Sequence, residues 1–351
     1  MSKKRRLIIA LLFFSSPIWA KNTFDHFTRQ HHTLSRELEV DVYVPTPYQE
    51  NQSYPVIYFN DGEGLNEKGY LPLKELEKSI KRGQIRPFIM VAIYAGGRRT
   101  SRYTPYEDSW VSQQWGRYTP QAERYTRRLT QQLLPFIEKK YSVDNNQRAV
   151  IGLSLGGLQA TWMALMEPGV FSFVGALSPS YWVGDYALLK EAIQPEAAST
   201  RFYFDIGTAE WNYYVPFVRQ LEKAGLEYGK NIFYREIPDA AHQYEDWKNR
   251  IIPIIRLFLT KDVGPPQDWD VVVECIPSQS RPGLFFQRLN PIVELEDEIF
   301  YSLAYAADFS IVKGAGKIEE DGRFEVTEGN SIRVRVRYGD WTEEVKVKNC
   351  K

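Results

Sequence analysis

Cysteine and histidine are both rare in this sequence. There are only 2 cysteines, Cys275 and Cys350, and only 4 histidines, His26, His31, His32 and His242. Neither cysteine belongs to a Cys-x-x-Cys pair or has a histidine close by. Metal binding and thiol catalysis therefore have no support. An excess of positive charge is also missing, since 44 Lys and Arg balance 44 Asp and Glu. Without a concentrated basic stripe, a nucleic-acid partner is not expected. No apolar run reaches the length of a membrane-spanning helix, and Leu7 to Phe14 is too short to cross a bilayer as a stable helix.

That run has a meaningful setting. Lys3, Lys4, Arg5 and Arg6 precede it, and Ser15-Ser16-Pro17-Ile18-Trp19-Ala20 follows. The order basic, apolar, small is that of a signal peptide over residues 1–20, so a periplasmic or extracellular location is expected. Ile18 is not the small residue favoured two positions before Ala20, and an uncleaved anchor is the alternative. Losing the four basic residues leaves 40 basic against 44 acidic side chains. In an oxidising compartment, Cys275 and Cys350 are expected to bridge, tying the chain end to the start of the C-terminal domain. Two separate thiols are the other reading.

The composition is 43% hydrophobic and 14% aromatic, which is ordinary for a folded globular chain. Strand-like and helix-like segments alternate through most of it. Strands are expected at residues 35–44, 54–59, 88–94, 148–153, 171–177, 201–206 and 231–237. Helices are expected at 73–82, 122–139 (despite Pro135), 155–165, 215–224 and 243–259. This alternation predicts an α/β fold, with a mostly parallel sheet covered on both faces and right-handed crossovers. The catalytic domain is placed at 21–262.

Past Val263-Gly264-Pro265-Pro266 the pattern changes. Short apolar alternations at 269–275, 299–304, 323–326, 332–338 and 343–347 are punctuated by Gly, Asp and Asn. They predict a small, antiparallel, sandwich-like all-β accessory domain over 265–351.

The sharpest local signal is Gly152-Leu153-Ser154-Leu155-Gly156-Gly157, a Gly-x-Ser-x-Gly pattern between a buried strand and an apolar helix. A tight strand-to-helix turn lifts the Ser154 hydroxyl clear of the sheet, and the glycines admit close backbone approach. Ser154 is thus the candidate nucleophile. It needs a positioned base. His26, His31 and His32 are read as preceding the sheet, whereas His242 follows the last parallel strand, so His242 is the candidate base. The orienting acid should lie between them in the chain. Glu210, just past the strand at 201–206, is preferred to Asp205 and Asp239.

The tetrahedral oxyanion requires two amide donors. The Leu155 N–H is one. The loop Asn60-Asp61-Gly62-Glu63-Gly64 offers the other, with the Glu63 N–H preferred and Gly62 next. The Glu63 side chain is left facing substrate or solvent.

Six segments then carry a resemblance in the right order: YPVIYFNDGEGL (54–65), FIMVAIYAGGRRTSRYTP (88–105), RAVIGLSLGGLQA (148–160), FSFVGALSPSYW (171–182), FYFDIGTAEWN (202–212) and AHQYEDWKNRI (241–251). The chain resembles the esterase D and enterochelin-esterase family of α/β-hydrolases, related to feruloyl and acetyl xylan esterases and mycolyltransferase-like antigens. The resemblance covers roughly residues 35–260. It implies an α/β-hydrolase fold, a nucleophile at Ser154, a base at His242, an acid at Glu210 and a backbone donor at Glu63. Many members have aspartate at the acid position. Glutamate has the same charge and longer reach.

These readings predict a serine esterase that forms an acyl-enzyme and needs no metal or organic cofactor. Acyl transfer by the same residues is one alternative, and a non-catalytic ligand-binding protein on a hydrolase scaffold is another. The partner is a small-molecule or glycan-linked ester: a siderophore, phenolic or acetyl-carbohydrate substrate. Arg98, Arg99, Arg102, Tyr103, Tyr181, Trp182 and Trp211 are candidate substrate-binding residues, with Trp110, Trp115 and Tyr118 as further flat surfaces. Arginines attract an acid, and aromatics stack on an aryl group or sugar.

Overall fold

A computed structural model of the 351-residue chain describes residues 23–24, 27–67, 73–210, 214–260, 264–277, 285–295, 299–303, 305–327 and 331–350. The proposed signal segment and Trp211 lie outside these residues. Nine strands build the main sheet: β1 (Thr23–Phe24), β2 (Phe27–Ser35), β3 (Leu38–Pro45), β4 (Tyr54–Asn60), β5 (Ile89–Ile93), β6 (Val143–Leu153), β7 (Phe173–Leu177), β8 (Arg201–Gly207) and β9 (Ile232–Ile237). Their order is β1-β2-β3-β5-β4-β6-β7-β8-β9. The run from β5 to β9 is parallel, and β1 to β3 add an antiparallel edge.

The apolar strands explain this burial. Val56 and Tyr58 join one core cluster, while Ile57 and Phe59 join the other. The same two-residue period separates Val150 from Ala149 and Ile151. Both faces are therefore apolar and both must be covered. The helices that do so include α1 (Gly62–Glu67), α2 (Leu73–Lys81), α3 (Arg99–Tyr103), α4 (Ser109–Trp115), α5 (Ala122–Arg128), α6 (Leu134–Lys140), α7 (Leu155–Met166), α8 (Val183–Tyr186), α9 (Val215–Lys223) and α10 (Tyr244–Leu259). Leu155 and Leu158 of α7 belong to one cluster, and Ile251, Ile254 and Phe258 of α10 to the other. The helix expected at 122–139 is interrupted by a π-helical turn, Leu129–Leu133, between α5 and α6. Pro135 falls in the first turn of α6, where its missing N–H costs least.

His31 and His32 are not outside the sheet. They sit in β2, where His31 Nδ1 meets Asp41 Oδ1 at 2.9 Å and His32 Nε2 meets the Tyr141 hydroxyl at 2.8 Å.

Beyond α10 the described residues form antiparallel sheets. These are β10 (Asp268–Pro277), β11 (Phe285–Leu295) and β12 (Ile299–Ser302); β13 (Asp308–Lys313), β16 (Ile332–Tyr338) and β17 (Trp341–Val347); and the pair β14 (Gly316–Ile318) and β15 (Phe324–Val326). Leu289 and Val293 of β11 and Tyr301 of β12 share an apolar cluster with Ile254 and Phe258 of α10. β12 also meets the outer edge of β9, where the Glu236 N–H donates to Ser302 Oγ at 2.9 Å. An otherwise open sheet edge is thereby covered. Cys275 and Cys350 form a disulfide with Cα atoms 5.8 Å apart.

Candidate active site

Ser154 lies between β6 and α7 with φ 57° and ψ −123°. A non-glycine residue at that φ is strained, and the surrounding turn must hold it there. A Cβ on Gly152 would lie 2.2 Å from the Gly156 carbonyl oxygen, so the two arms of the turn touch through bare backbone. The Ser154 carbonyl accepts from the N–H groups of Gly157, Leu158 and Ser180.

Ser154, His242 and Glu210 come from the ends of three parallel strands: β6, β9 and β8. Ser154 Oγ is 2.8 Å from His242 Nε2, and His242 Nδ1 is 2.6 Å from Glu210 Oε2. A carboxylate can only accept, so Nδ1 carries the imidazole proton and Nε2 presents its lone pair to the serine hydroxyl. The Glu210 side chain is 2% exposed, whereas that of His242 is 42% exposed. The acid is shielded, and the imidazole edge is open to an incoming molecule.

A further layer of contacts was not legible in the sequence. The Ser178 hydroxyl donates to Glu210 Oε1 at 2.5 Å. It accepts from Trp247 Nε1 at 2.9 Å and from Arg250 Nη2 at 3.2 Å. The Gly207 N–H donates to the same Glu210 oxygen at 2.9 Å. The Trp247 ring stands edge-on to His242, with centroids 4.8 Å apart. Asp205, weighed above as an alternative acid, is fully buried and bound by Arg250 Nη1 at 2.7 Å and the Ser178 N–H at 2.9 Å. Burial pushes its pKa up, opposed by the Arg250 cation, the Ser178 N–H and the Tyr203 hydroxyl. Asp239 has φ 58°, and its N–H donates to Thr208 Oγ1.

The Asp61-Gly62-Glu63 loop runs from the end of β4 into α1. Leu155 and Glu63 both lie in first helical turns, where amides have no acceptor within their own helix. The carboxylate of the half-buried Glu63 accepts from the N–H groups of Ala95 and Gly96 at 2.9 and 3.0 Å. Those donors lie just past β5, and two amides held by one charged acceptor fix this neighbouring loop.

The candidate substrate residues divide. Tyr103 and Tyr181 are fully buried and Arg102 nearly so, which withdraws them from direct ligand contact. The Tyr103 hydroxyl accepts from the Asp61 N–H, Tyr181 meets Thr161 Oγ1, and Arg102 Nη1 donates to the Ala95 carbonyl. Arg99 binds Asp61 through two hydrogen bonds, of 2.6 and 2.8 Å. Arg98 binds Glu37 at 2.9 Å. Trp182 is half-buried and meets Trp110, ring centroids 5.0 Å apart. Ser180, two residues before Trp182, places its Oγ 3.3 Å from Ser154 Oγ.

A parallel sheet with a strained serine after β6, a histidine after β9 and a shielded carboxylate after β8 defines the α/β-hydrolase class. The chain belongs to the esterase family, whose description, "Putative esterase", matches residues 31–258. It is a carboxylic ester hydrolase. It is 26% identical over 172 residues to the uncharacterized protein YbbA of Bacillus subtilis (strain 168), a match covering 48% of this chain and 67% of that one. It is 29% identical over 150 residues to an endo-1,4-beta-xylanase/feruloyl esterase of Xylanibacter ruminicola, covering 39% of this chain. The match spans only 19% of that larger enzyme. Among solved structures, the enterobactin hydrolase IroE in complex with DFP superposes with a TM-score of 0.54 at 19% identity, covering 68% of this chain and 99% of that one. A ferulic acid esterase gives a TM-score of 0.52 at 21% identity, covering 66% and 96%. At these identities the structural likeness is one of fold.

Proposed function

We propose that Ser154 is the nucleophile of a two-step ester hydrolysis. His242 Nε2 removes the Ser154 proton as Oγ attacks the ester carbonyl, and then gives that proton to the departing alcohol. Water next attacks the acyl-serine, with His242 again accepting and returning a proton. Glu210 holds the imidazole in the required tautomer and stabilises its cationic form. The N–H groups of Leu155 and Glu63 receive the oxyanion in both steps. The observation that carries this reading is the unbroken hydrogen-bonded line from Ser154 through His242 to the shielded Glu210.

The substrate is a phenolic or acetyl carbohydrate ester in preference to a siderophore ester. The arginines that would attract an acidic substrate, Arg98, Arg99 and Arg102, already engage Glu37, Asp61 and the Ala95 carbonyl. The relative carrying a feruloyl esterase activity in its name is consistent with this choice. The mature enzyme acts outside the cytoplasm. The basic–apolar–small order of residues 1–20 and the Cys275–Cys350 disulfide support export.

Hydrolysis of p-nitrophenyl esters, feruloyl sugar esters and a catecholate trilactone tests the reading. Wild type turns over at least the activated esters, and Ser154→Ala lowers kcat by about five to six orders of magnitude. An organophosphonate labels Ser154 in the wild type only. Turnover that survives Ser154→Ala would overturn the assignment, and preference for the trilactone would overturn the substrate class.

A further inference from the structure

Helix α4 and the turn after β7 carry an apolar surface that the proposed chemical steps do not use. Trp110 and Trp115 are 50% and 54% exposed, although both lie on the short helix α4. Trp110 meets Trp115 with centroids 5.5 Å apart and planes at 87°, and meets Trp182 at 5.0 Å and 89°. Three indoles thus form one connected ledge. Isolated exposed apolar residues need no explanation, but a contiguous aromatic patch does.

In the chain the ledge follows closely on the nucleophile's neighbour Ser180, whose Oγ lies 3.3 Å from Ser154 Oγ. The Ser180 N–H donates to the Ser154 carbonyl at 3.1 Å, and Trp182 follows two residues later. Its support is firm. Asp108 caps α4 by accepting from the Val111 N–H at 2.9 Å, and its other oxygen accepts from the Gly184 N–H at 2.8 Å. One carboxylate therefore pins the helix bearing Trp110 and Trp115 to the turn that follows Trp182. The Tyr118 hydroxyl donates to the Tyr106 carbonyl, and the Tyr106 hydroxyl donates to Glu191 Oε1 at 2.6 Å. Bare indoles on a fixed frame are a preorganised surface, which reduces the ordering cost of binding.

Charge selects the class of ligand. Residues 104–118 contain Glu107, Asp108 and Arg117, with no cationic excess. An anionic aryl ligand calls for the opposite balance. A sugar ring has apolar C–H faces that stack on aromatic rings and a hydroxyl rim that stays hydrated, and it carries no charge. Perpendicular indole faces also suit successive rings of a twisted chain, whereas a single flat aryl group uses one face only.

We propose that Trp110, Trp115 and Trp182 form a carbohydrate-binding ledge that seats the pyranose rings of a neutral glycan and presents its ester to Ser154. The proposal rests on the serine esterase reading for the identity of the reacting centre. The ledge itself is testable without turnover.

The test measures binding by the full chain carrying Ser154→Ala, using gel retardation by arabinoxylan and calorimetry with xylohexaose, cellohexaose and ferulate. The Ser154→Ala chain is expected to bind a neutral glycan. Adding Trp110→Ala and Trp115→Ala weakens that binding about tenfold, the loss expected for two aromatic contacts. Trp110→Phe with Trp115→Phe retains most of it, and thermal unfolding midpoints establish that each variant folds. Failure to bind any of the three glycans, ferulate as the only ligand, or unchanged affinity in the alanine variant overturns the ledge. Wild-type hydrolysis of p-nitrophenyl acetate, lost in Ser154→Ala, reports separately on the esterase reading.

Discussion

The carbonyl oxygen of Ala240 occupies the space beside Gly207 in which any side chain would begin: a Cβ there would lie 2.1 Å from it. Gly207 ends the strand that leads to Glu210, and Ala240 lies two residues before His242. The Ala209 N–H also donates to the Ala240 carbonyl at 3.1 Å. Backbone contact between the two loops thus fixes the position of Glu210 relative to His242. Gly207→Ala must push them apart. A misplacement of about 1 Å at a reacting group costs on the order of 10²-fold in rate. We expect kcat to fall by about that factor, with far-ultraviolet circular dichroism retained. Unchanged kcat would show that the loops accommodate a methyl group.

Ser178 joins Glu210 to Trp247 and Arg250 through a single hydroxyl. In Ser178→Ala, one Glu210 oxygen loses its short hydrogen bond, and the Trp247 and Arg250 donors lose a shared acceptor. The expected result is a decrease in kcat of about tenfold, the scale of one charge-assisted hydrogen bond, with KM nearly constant. Steady-state kinetics on a p-nitrophenyl ester separates the two constants. A change confined to KM would instead place Ser178 in substrate binding.

The Glu63 side chain has a separate role from its amide. Glu63→Gln retains one acceptor for the Ala95 and Gly96 N–H groups, whereas Glu63→Ala retains none. Loosening that loop should shift the Glu63 N–H from the oxyanion position. Loss of one such donor costs about 10²–10³ in kcat, so Glu63→Ala approaches that range and Glu63→Gln falls short of it. Equal kinetics for the two variants would disconnect the carboxylate from the oxyanion site.

The contact between the main sheet and the C-terminal strands should depend on pH. Arg288 of β11 reaches Glu274 Oε2 at 2.7 Å and also binds Glu236, and all three side chains are buried. A single guanidinium faces two carboxyl groups. Burial pushes Glu274 up to about 7, opposed by the Asn290 hydrogen bond and reinforced by the Asp239 carboxylate. Its folded pKa lies above its unfolded value, so its stabilising contribution is complete below about 4.5 and is lost as pH rises through about 7. The effect is on the order of 1–3 kcal/mol, or about 2–4 °C in Tm for each kcal/mol. Tm should decline from pH 5 to 8 in the wild type and decline less in Glu274→Gln. Parallel profiles would exclude Glu274 as the source.

Much of the main sheet could be read from sequence because its strands are continuous apolar runs separated by helices. β2 was missed because its Arg29-Gln30-His31-His32-Thr33 stretch is polar and half-exposed at the sheet's antiparallel end. β11 was missed for a different reason. Arg288, Asn290 and Pro291 break its apolar alternation, yet Arg288 and Asn290 are buried, where they pair with carboxylates or a carbonyl. α4 has no apolar stripe of its own, since its two tryptophans face outward.

The sequence by itself determined the alternation that produces an α/β sheet, the glycine-flanked turn at Ser154 and the order of serine, acid and histidine. These are local or serial properties: periodicity, turn sterics and position after a strand. Only the tertiary structure decided which side chains are spent internally. Tyr103 and Tyr181 look like binding aromatics in a list of residues, but packing seals them in the core. The Glu63 side chain has no assigned partner in the sequence, whereas in the fold it holds two backbone amides. Ser178 and Arg250, 72 residues apart and unremarked in the sequence, meet beneath Glu210. Exposure and pairing depend on segments distant in the chain, so no window of sequence contains them.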